Sequence, residues 1–293
     1  TFKELHIERF LNRLSFFLIM RYISKNLLNE IRRKLKPLIV PRSSGKKIKE
    51  VFLHPFTFNC QKNRRKAIEK NAQIHSYKIE YPCLNIPFSV PRNRCKEDIK
   101  KGIKNLEEAF NWGRKNFDPK NFNEEFIRKI AKIITPDIYP GDFAEYRDTG
   151  TTISGASTTP PYPYKVKEIE IPGFMKYLRD QLKKERLVDR INLAIYSHLH
   201  LVRIHPFIDG NGRTSRTIQN IILDHYKLPL PIIEAGERNT YYELLDKAIL
   251  DWKHKENSGE INKGATEGEH GFYNFMAGKI NVSLDKILEC NIH

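Results

Sequence analysis

The chain has 293 residues, of which 40% are apolar, and it carries a formal net charge of +16. This composition supports a buried core and excludes the membrane-spanning class, because no run approaches the ~20 consecutive apolar residues that a transmembrane helix needs. The longest apolar run, residues 14–20, is flanked by Arg13 and Arg21, so we interpret it as part of a buried helix.

The cysteine content and the distribution of charge further restrict the kind of protein that this chain can be. The four cysteines are scattered without a Cys-x-x-Cys pair, which argues against a zinc site or a disulfide framework and favours a cytoplasmic setting. Residues 1–70 hold 18 Lys and Arg against 5 Asp and Glu. Such a basic segment can bind nucleic acid, but no aromatic–basic interleaving accompanies it, so we favour a solvated helical face over a nucleic-acid interface.

Apolar spacing predicts helices in an N-terminal region, residues 1–95. Residues 2–36 are predicted to be helical, because apolar residues recur at three- and four-residue steps and no Pro or Gly interrupts them. A second helix is predicted over residues 64–80, where apolar positions share one face. Three prolines between residues 82 and 91 predict an extended linker after it.

A central region, residues 96–255, and a C-terminal region, residues 256–293, complete the predicted organisation. A stretch rich in Gly, Pro, Ser and Thr, residues 139–165, contains a β-like run at residues 151–154, which predicts a small hairpin. A loop is also expected over residues 253–270. The predicted helices of these two regions cover residues 98–116, 123–135, 171–187, 188–204, 214–228 and 272–288. We therefore predict a mainly α fold with one small β-hairpin.

Residues 205–216 combine features suited to phosphate chemistry. Pro206 and the glycines stop the preceding helix, and Gly210, Asn211 and Gly212 tolerate the backbone angles that turn successive N–H groups inward. The next predicted helix begins directly after them. This anion nest would therefore lie at a helix N-terminus, where unsatisfied N–H groups and the helix dipole favour phosphate.

Four charged or titratable residues surround the predicted nest. Arg213 and Arg216 project from the first turn of the helix and suit the charge of a polyphosphate tail. Asp209 is a hard oxygen ligand of the kind that holds Mg²⁺ together with substrate phosphates. His205 has a pKa range suited to accepting a proton at neutral pH. The segment thus predicts a base, a metal ligand, a phosphate nest and a charge clamp.

This segment matches the signature His-Pro-Phe-x-Asp/Glu-Gly-Asn-Gly-Arg-x-x-Arg without departure, and the chain resembles the Fic family of AMP transferases over roughly residues 66–255. The resemblance implies a Fic-type helical bundle with a small β-hairpin flap, and it identifies residues 96–255 as the catalytic core. It further implies an enzyme, a protein adenylyltransferase that uses ATP and Mg²⁺ to attach AMP to a Ser, Thr or Tyr hydroxyl of a target protein.

The resemblance also implies a role for each residue of the signature. The histidine matching His205 deprotonates the target hydroxyl, and the carboxylate matching Asp209 holds Mg²⁺ against the α- and β-phosphates. The residues matching 210–213 cradle phosphate oxygens and steady the loop. The arginine matching Arg216 grips the γ-phosphate. Pyrophosphate then leaves after in-line attack on the α-phosphorus.

Upstream of the signature, a segment beginning at residue 141 resembles the flap of the family, in which a short hairpin pairs its main chain with the target segment. An ordinary surface hairpin is the alternative interpretation. The predicted flap residues are Thr151, Thr152, Ile153 and Ser154.

Downstream, residues 237–245 resemble the segment that lines the nucleobase pocket of the family. Tyr241 or Tyr242 is predicted to contact adenine, and a role as core aromatics is the alternative for either. Some relatives carry an asparagine after the second tyrosine where Ile249 stands here, so this chain departs from the pattern of base recognition.

The second predicted helix contains the spacing of an inhibitory motif. Many Fic proteins carry Ser/Thr-x-x-x-Glu-Gly/Asn on a helix whose glutamate pairs with the second signature arginine and blocks the γ-phosphate. Ser76 and Glu80 match this spacing and lie on one helical face, whereas Tyr81 departs from the pattern. The resemblance implies a pair between Glu80 and Arg216, with a surface glutamate as the alternative.

Other functions stay open on the sequence alone. Within the fold, relatives phosphorylate, transfer UMP or phosphocholine, or remove AMP from targets. Outside enzymology, the basic N-terminal segment is compatible with a nucleic-acid-binding regulator that only senses ATP. Self-modification and a homodimer are further expectations from the resemblance, and the sequence names neither the target protein nor the modified residue.

Overall fold

The computed structural model describes residues 22–35, 59–80, 92–153, 156–184, 186–260 and 264–289. Within these ranges the chain forms helices and no β-strand, and none of the described helices is long and apolar enough to cross a membrane. The longer helices are α1 (Lys25–Leu35), α2 (Asn59–Glu80), α3 (Arg92–Asn116), α4 (Glu124–Ile134), α5 (Ile171–Leu182), α6 (Leu187–Ile204), α7 (Asn211–His225), α8 (Arg238–Asn257) and α9 (Glu267–Leu288). A short helix at Pro163–Lys165 and a π-helical turn at Val166–Glu170 lead into α5, and a 3-10 turn at Ala235–Glu237 leads into α8.

Helices α6 and α7 form the centre of the fold and pack against each other. Most side chains of α6 from Ile191 onward are buried, and α7 is buried over nearly its whole length. These two helices are joined by residues 205–210, which we call the α6–α7 loop. The segment that the sequence marks for phosphate chemistry is therefore supported on both sides by the core.

The remaining helices surround this pair. Helices α3 and α4 pack against α7, while α8 and α9 pack against each other and contact α6. Helix α1 packs on α9. Helix α2 contacts α3, α7 and α9, and its last residue, Glu80, reaches α7. The N-terminal helix that the sequence identified is thus packed against the element that carries the signature.

The mainly α fold class is confirmed, and most predicted helices are present. Helix α4 follows Asn123, whose side chain accepts a hydrogen bond from the Phe126 N–H, as expected of an N-cap. The helix predicted from residue 214 begins earlier, because the left-handed backbone of Gly210 already precedes its first turn at Asn211. The predictions for residues 2–21, for the linker at 82–91 and for Tyr81 lie outside the described residues.

Several details of the sequence interpretation were wrong. Residues 22–24, which belong to the helix predicted over 2–36, are not helical, and the helix predicted over 171–187 ends at Leu182. The predicted hairpin is absent among the described residues of its segment, since Thr151, Thr152 and Ile153 form no strand and Ser154 is not described. The residues that would form the second strand of the hairpin include Pro160 and Pro161, which lack the N–H groups needed for hydrogen bonds between strands.

The loop expected over residues 253–270 is also shorter than predicted. Helix α8 continues to Asn257, and α9 begins at Glu267. Thr266 and Glu269 form a reciprocal capping box at the start of α9, with the Thr266 hydroxyl accepting from the Glu269 N–H. This Thr-x-x-Glu signal was present in the sequence and was missed.

Candidate functional site

The α6–α7 loop is closed by its own polar groups. His205 follows α6 in the left-handed conformation (φ 49°, ψ 57°), and Gly210 (φ 76°) precedes α7. The buried Asn211 side chain accepts from the Phe207 N–H at 2.9 Å and donates to the Phe207 carbonyl at 2.8 Å. This side chain therefore braces the loop from inside.

His205 lies at the start of this loop with a partly buried side chain. Burial lowers the pKa of its imidazole to about 4; the neighbouring Val202 carbonyl opposes this shift and the Arg147 guanidinium adds to it. The ring is consequently neutral at pH 7. Neutral imidazole is the form that can accept a proton from a substrate hydroxyl.

Arg147 fixes the backbone around His205, a role that the sequence interpretation did not give it. Its guanidinium donates to the carbonyls of His205 (2.7 Å), Thr149 (2.9 Å) and Pro161 (2.5 Å), and its own N–H donates to the Pro206 carbonyl at 2.9 Å. Arg147 thereby joins the α6–α7 loop to the chain on both sides of the predicted flap residues, 151–154. Arginine is mostly exposed in proteins, so no local signal indicates that this side chain is 2% exposed.

The first turn of α7 already holds an anion, the Glu80 carboxylate. A methyl group placed on Gly212 would overlap Glu80 Oε1 and lie 3.2 Å from Arg216 Nη1, so the carboxylate and the guanidinium meet directly above this glycine. The missing side chain at Gly212 is what lets the carboxylate approach the helix N-terminus. The N–H groups and dipole that favour Glu80 at this position also favour phosphate.

The Arg216 side chain makes four hydrogen bonds, and it is 4% exposed. Its Nε donates to Ser76 Oγ at 2.9 Å, and its Nη2 donates to the Ser76 carbonyl at 2.9 Å and to Glu80 Oε1 at 2.7 Å. A fourth bond joins Arg216 Nη1 to the Tyr241 hydroxyl at 3.2 Å. The contact between Glu80 and Arg216 that the motif spacing predicted is therefore present in the fold.

Asp209 and Arg213 form a second ion pair beside the loop. Arg213 Nη2 lies 2.8 Å from Asp209 Oδ2, and the Asp209 side chain is half exposed while that of Arg213 is buried. No group of three or more His, Cys, Asp or Glu residues suited to a metal ion occurs in the described ranges. A single accessible carboxylate beside the predicted phosphate nest nevertheless fits Mg²⁺, which takes most of its ligands from water and substrate phosphates.

The two predicted nucleobase contacts differ in their surroundings. Tyr241 is fully buried, and its hydroxyl bonds Arg216 and His198. Tyr242 is only partly buried, and its ring lies 4.9 Å from the guanidinium carbon of Arg238. Of the pair, Tyr242 therefore has the surface that could meet a ligand, and Tyr241 has the position of an internal support.

The described flap residues lie beside α8, and none of them forms a strand. Thr152 is exposed, and Thr151 and Ile153 are partly exposed. A turn bond from the Ala156 N–H to the Ile153 carbonyl (3.1 Å) follows them, and Ser157 bonds Asp246 of α8 through its N–H and its hydroxyl. The chain is thus held before these residues by Arg147, through the Thr149 carbonyl, and after them by Asp246.

Comparison with known proteins gives a consistent result. The profile of the Fic/DOC family matches residues 121–223, which include the α6–α7 loop and most of α7. A protein adenylyltransferase Fic from Nematostella vectensis is 34% identical over 140 residues, which are 44% of this chain and 32% of the relative. One from Drosophila persimilis is 50% identical over 122 residues, 42% of this chain and 23% of the relative. The match thus covers about a third or less of these relatives' own length.

Solved structures share the fold. A Fic-domain-containing signalling protein from Bacteroides thetaiotaomicron superimposes with a TM-score of 0.65 at 19% identity, over 91% of this chain and 97% of that one. Fic-1 from C. elegans gives a TM-score of 0.58 at 17% identity, over 90% of this chain and 71% of that one. Likeness at these identities establishes the architecture alone. Residues 121–223, which contain the complete signature from His205 to Arg216, are therefore similar to the Fic/DOC family, and the chain shares the fold of solved Fic proteins.

Proposed function

We propose that this chain is a protein adenylyltransferase that moves AMP from ATP to a Ser, Thr or Tyr hydroxyl of a target protein, and that Glu80 inhibits it. The observation that carries the proposal is the position of the Glu80 carboxylate, above Gly212 at the start of α7 and 2.7 Å from Arg216 Nη2. An anion already occupies the place that phosphate would favour. The names of the curated relatives agree with AMP transfer.

The chemistry assigned to this chain's own residues is limited to proton transfer and positioning. Neutral His205 accepts the proton of the target hydroxyl as its oxygen attacks the α-phosphorus; a new P–O bond forms and the bond to pyrophosphate breaks. The backbone N–H groups of the first α7 turn and the two signature arginines stabilise the phosphates. Asp209 would hold Mg²⁺, which when bound supplies charge neutralisation on the phosphates.

Inhibition follows from competition for one guanidinium. Arg216 is the proposed contact of the γ-phosphate, but its Nη2 is already bonded to Glu80 and to the Ser76 carbonyl. A γ-phosphate brought to the same place would meet the Glu80 carboxylate, and two anions at such a short distance repel. ATP would therefore bind poorly, or with its phosphates displaced, until Glu80 moves.

The flap is the proposed docking segment for the target. Thr151, Thr152 and Ile153 have no strand partner among the described residues, so their main-chain groups suit an added strand from another protein, with Ser154 as the expected continuation. Such pairing tolerates many target sequences. The Fic domain IbpAFic2, which has this fold, has been solved tethered to Cdc42, in line with a protein as the class of substrate.

The experiment is incubation with α-labelled ATP and Mg²⁺, followed by gel analysis and intact mass spectrometry. We expect weak labelling of the wild-type chain, strong self-labelling of Glu80→Gly, and none of the Glu80→Gly/His205→Ala double variant. The added mass should be that of AMP. Label from γ-labelled ATP instead would indicate phosphorylation and overturn the assignment, as would label that persists without His205.

A further inference from the structure

The Arg216 guanidinium donates four hydrogen bonds to residues of two helices, α2 and α8. Three of them go to α2, through Ser76 and Glu80, and one goes to α8, through the Tyr241 hydroxyl. The function proposed above requires that the Glu80 contact is lost when ATP binds. Of the side-chain contacts described for Arg216, only the one with Tyr241 belongs to the part of the protein that does not have to move.

Tyr241 is itself held by a chain of hydrogen bonds. Each ring nitrogen of His198 forms one hydrogen bond. Nε2 lies 2.8 Å from the Tyr241 hydroxyl oxygen, and Nδ1 lies 2.9 Å from Gln219 Oε1. Because Gln219 Oε1 can only accept, Nδ1 of the neutral His198 ring carries the proton and Nε2 accepts from the Tyr241 hydroxyl. The Tyr241 oxygen in turn accepts from Arg216 Nη1, which can only donate. His198 Nδ1–H then donates to Gln219 Oε1, so each group has one defined role.

This chain of bonds joins rigid parts of the core. His198 lies on α6, Gln219 on α7 and Tyr241 on α8, and all three side chains are buried. Burial and the nearby Arg216 charge lower the pKa of His198 to about 3, so the ring stays neutral and keeps this proton arrangement throughout the physiological range. A buried network of hydrogen bonds joining three helices restricts the geometry of its members.

We propose that Tyr241, held by His198 and Gln219, is a positioning residue that keeps Arg216 aimed at the terminal phosphate of the nucleotide after Glu80 has withdrawn. This inference rests on the proposed function, and it gives Tyr241 a different part from the adenine contact that the sequence predicted. Tyr241 touches no nucleotide in this scheme. It acts through Arg216 alone, and therefore affects the third phosphate and not the first two.

The test is nucleotide binding by calorimetry with Mg²⁺, comparing ATP with ADP. The parent protein is the Glu80→Gly/His205→Ala variant, in which the brake is absent and turnover is blocked. Tyr241→Phe in this parent removes one oxygen and should weaken ATP binding about tenfold, the effect of one hydrogen bond to a charged group, while ADP binding changes less than about twofold. Gln219→Met should move the ATP to ADP affinity ratio in the same direction, by less.

Tyr226→Phe is the matched control, because it also removes a tyrosine hydroxyl from a hydrogen bond, here to the Leu182 carbonyl at 3.4 Å. It should leave the affinity ratio unchanged. The inference is overturned if Tyr241→Phe leaves the ratio unchanged or weakens ATP and ADP equally. If Tyr241→Phe does not fold, as judged by its melting temperature, an unchanged ratio in Gln219→Met overturns it instead. A parent that binds neither nucleotide would contradict the proposed function itself.

Discussion

Glu80 and Arg216 form an ion pair 2.7 Å long, although 136 residues separate them in the sequence. The Glu80 side chain is 27% exposed and that of Arg216 is 4% exposed, so the pair lies at the edge of the core. Removing one member of such a pair leaves the buried charge uncompensated, which is costly unless another anion replaces it. In the proposed function the phosphates of ATP would supply that anion, so the pair would act as a brake against which ATP competes.

We expect Glu80→Gly to raise AMP labelling about 10- to 100-fold, because it frees one charge-assisted hydrogen bond of Arg216 for the γ-phosphate. Glu80→Gln keeps the shape and removes the charge, so it should produce an intermediate rise. Initial rates of incorporation from α-labelled ATP measure both effects.

Asp180→Gly is the control for this series, since Asp180 also pairs with a basic side chain, that of Lys183, but both residues are exposed at the end of α5. Its labelling should equal that of the wild type. Equal rates for Glu80→Gly and the wild type would remove the inhibitory role of Glu80 from this account.

The signature could be read from the sequence because its chemistry is local. Residues 205–216 fold into one loop and one helical turn, and Gly210, Asn211 and Gly212 have the backbone positions that the pattern predicted. The contact of Glu80 with Arg216 was also predictable, but only through a motif that the family resemblance supplied. Neither periodicity nor composition relates residues so far apart in the chain.

The buried side chains that hold the site residues in place could not be predicted from the sequence in this way. Arg147 and His198 are buried polar residues whose partners lie on other elements, and the sequence shows only their type, which suggests exposure for the arginine. Tyr241 was predicted either to contact adenine or to be a core aromatic, and the bond of its hydroxyl to Arg216 depends on tertiary packing that the sequence does not show. The hairpin prediction failed for a related reason: the run at Thr151 is β-like locally, but no described segment pairs with it.

Gly212→Ala should reduce nucleotide binding even when the brake is absent. Its methyl group would fill the space above the first turn of α7 and lie 3.2 Å from Arg216 Nη1. In the Glu80→Gly background we expect ATP affinity to fall about tenfold, since phosphate could no longer approach the backbone N–H groups. Gly278→Ala on α9, where nothing lies within 4 Å of the added carbon, is the control and should bind ATP normally. Unchanged ATP affinity for Gly212→Ala would place the phosphate site elsewhere.

Arg147→Lys should lower the rate of transfer more than it lowers ATP affinity. Lysine keeps the charge but cannot donate to the carbonyls of His205, Thr149 and Pro161 at once, so the backbone of His205 loses its support. In the Glu80→Gly background we expect kcat to fall about 10- to 100-fold, because small displacements of a reacting group have effects of this size.

The measurement combines steady-state kinetics with calorimetric ATP binding and a melting curve. Arg179→Lys on the exposed face of α5 is the control. A fall in ATP affinity as large as the fall in kcat would show that Arg147 supports the nucleotide site in general, and not His205 in particular.

Asp224→Asn should weaken the brake from a distance. Asp224, 5% exposed in the last turn of α7, is 2.9 Å from Arg65 Nη2 of α2 and 2.9 Å from Arg114 Nε of α3, and Glu69 completes the cluster through Arg114. Removing its charge leaves two arginines facing each other with one carboxylate, at a cost of about 3 kcal/mol. Since Glu80 lies on the same helix as Arg65, looser docking of α2 should raise AMP labelling several-fold.

Asp180→Asn, which removes an exposed carboxylate paired with Lys183 on α5, provides the comparison and should change neither labelling nor stability. Labelling rates and urea unfolding measure the two effects separately. A less stable Asp224→Asn variant with wild-type labelling would mean that the docking of α2 does not limit access of ATP to Arg216.

Stability should fall as the pH is lowered from 7 to 5, because several histidines are buried as neutral rings. Burial lowers the pKa of His198 to about 3 and that of His205 to about 4, and it holds the pKa of His200 well below its usual value. In the unfolded chain these groups bind protons near pH 6.5, so between pH 6.5 and pH 4 the unfolded state binds more protons than the folded state. The stabilisation is therefore complete above pH 7 and is lost as the pH falls. For a fully buried ring such as His198 the loss in the free energy of unfolding between pH 7 and 5 is about 2 kcal/mol.

Urea unfolding at pH 7, 6 and 5 measures this loss. The free energy of unfolding of His198→Gln should decline less steeply with falling pH than that of the wild type, by the slope that corresponds to about one proton. Parallel declines for the two proteins would mean that His198 is charged in the fold, and its Nε2 would then donate to the Tyr241 hydroxyl and no longer accept from it.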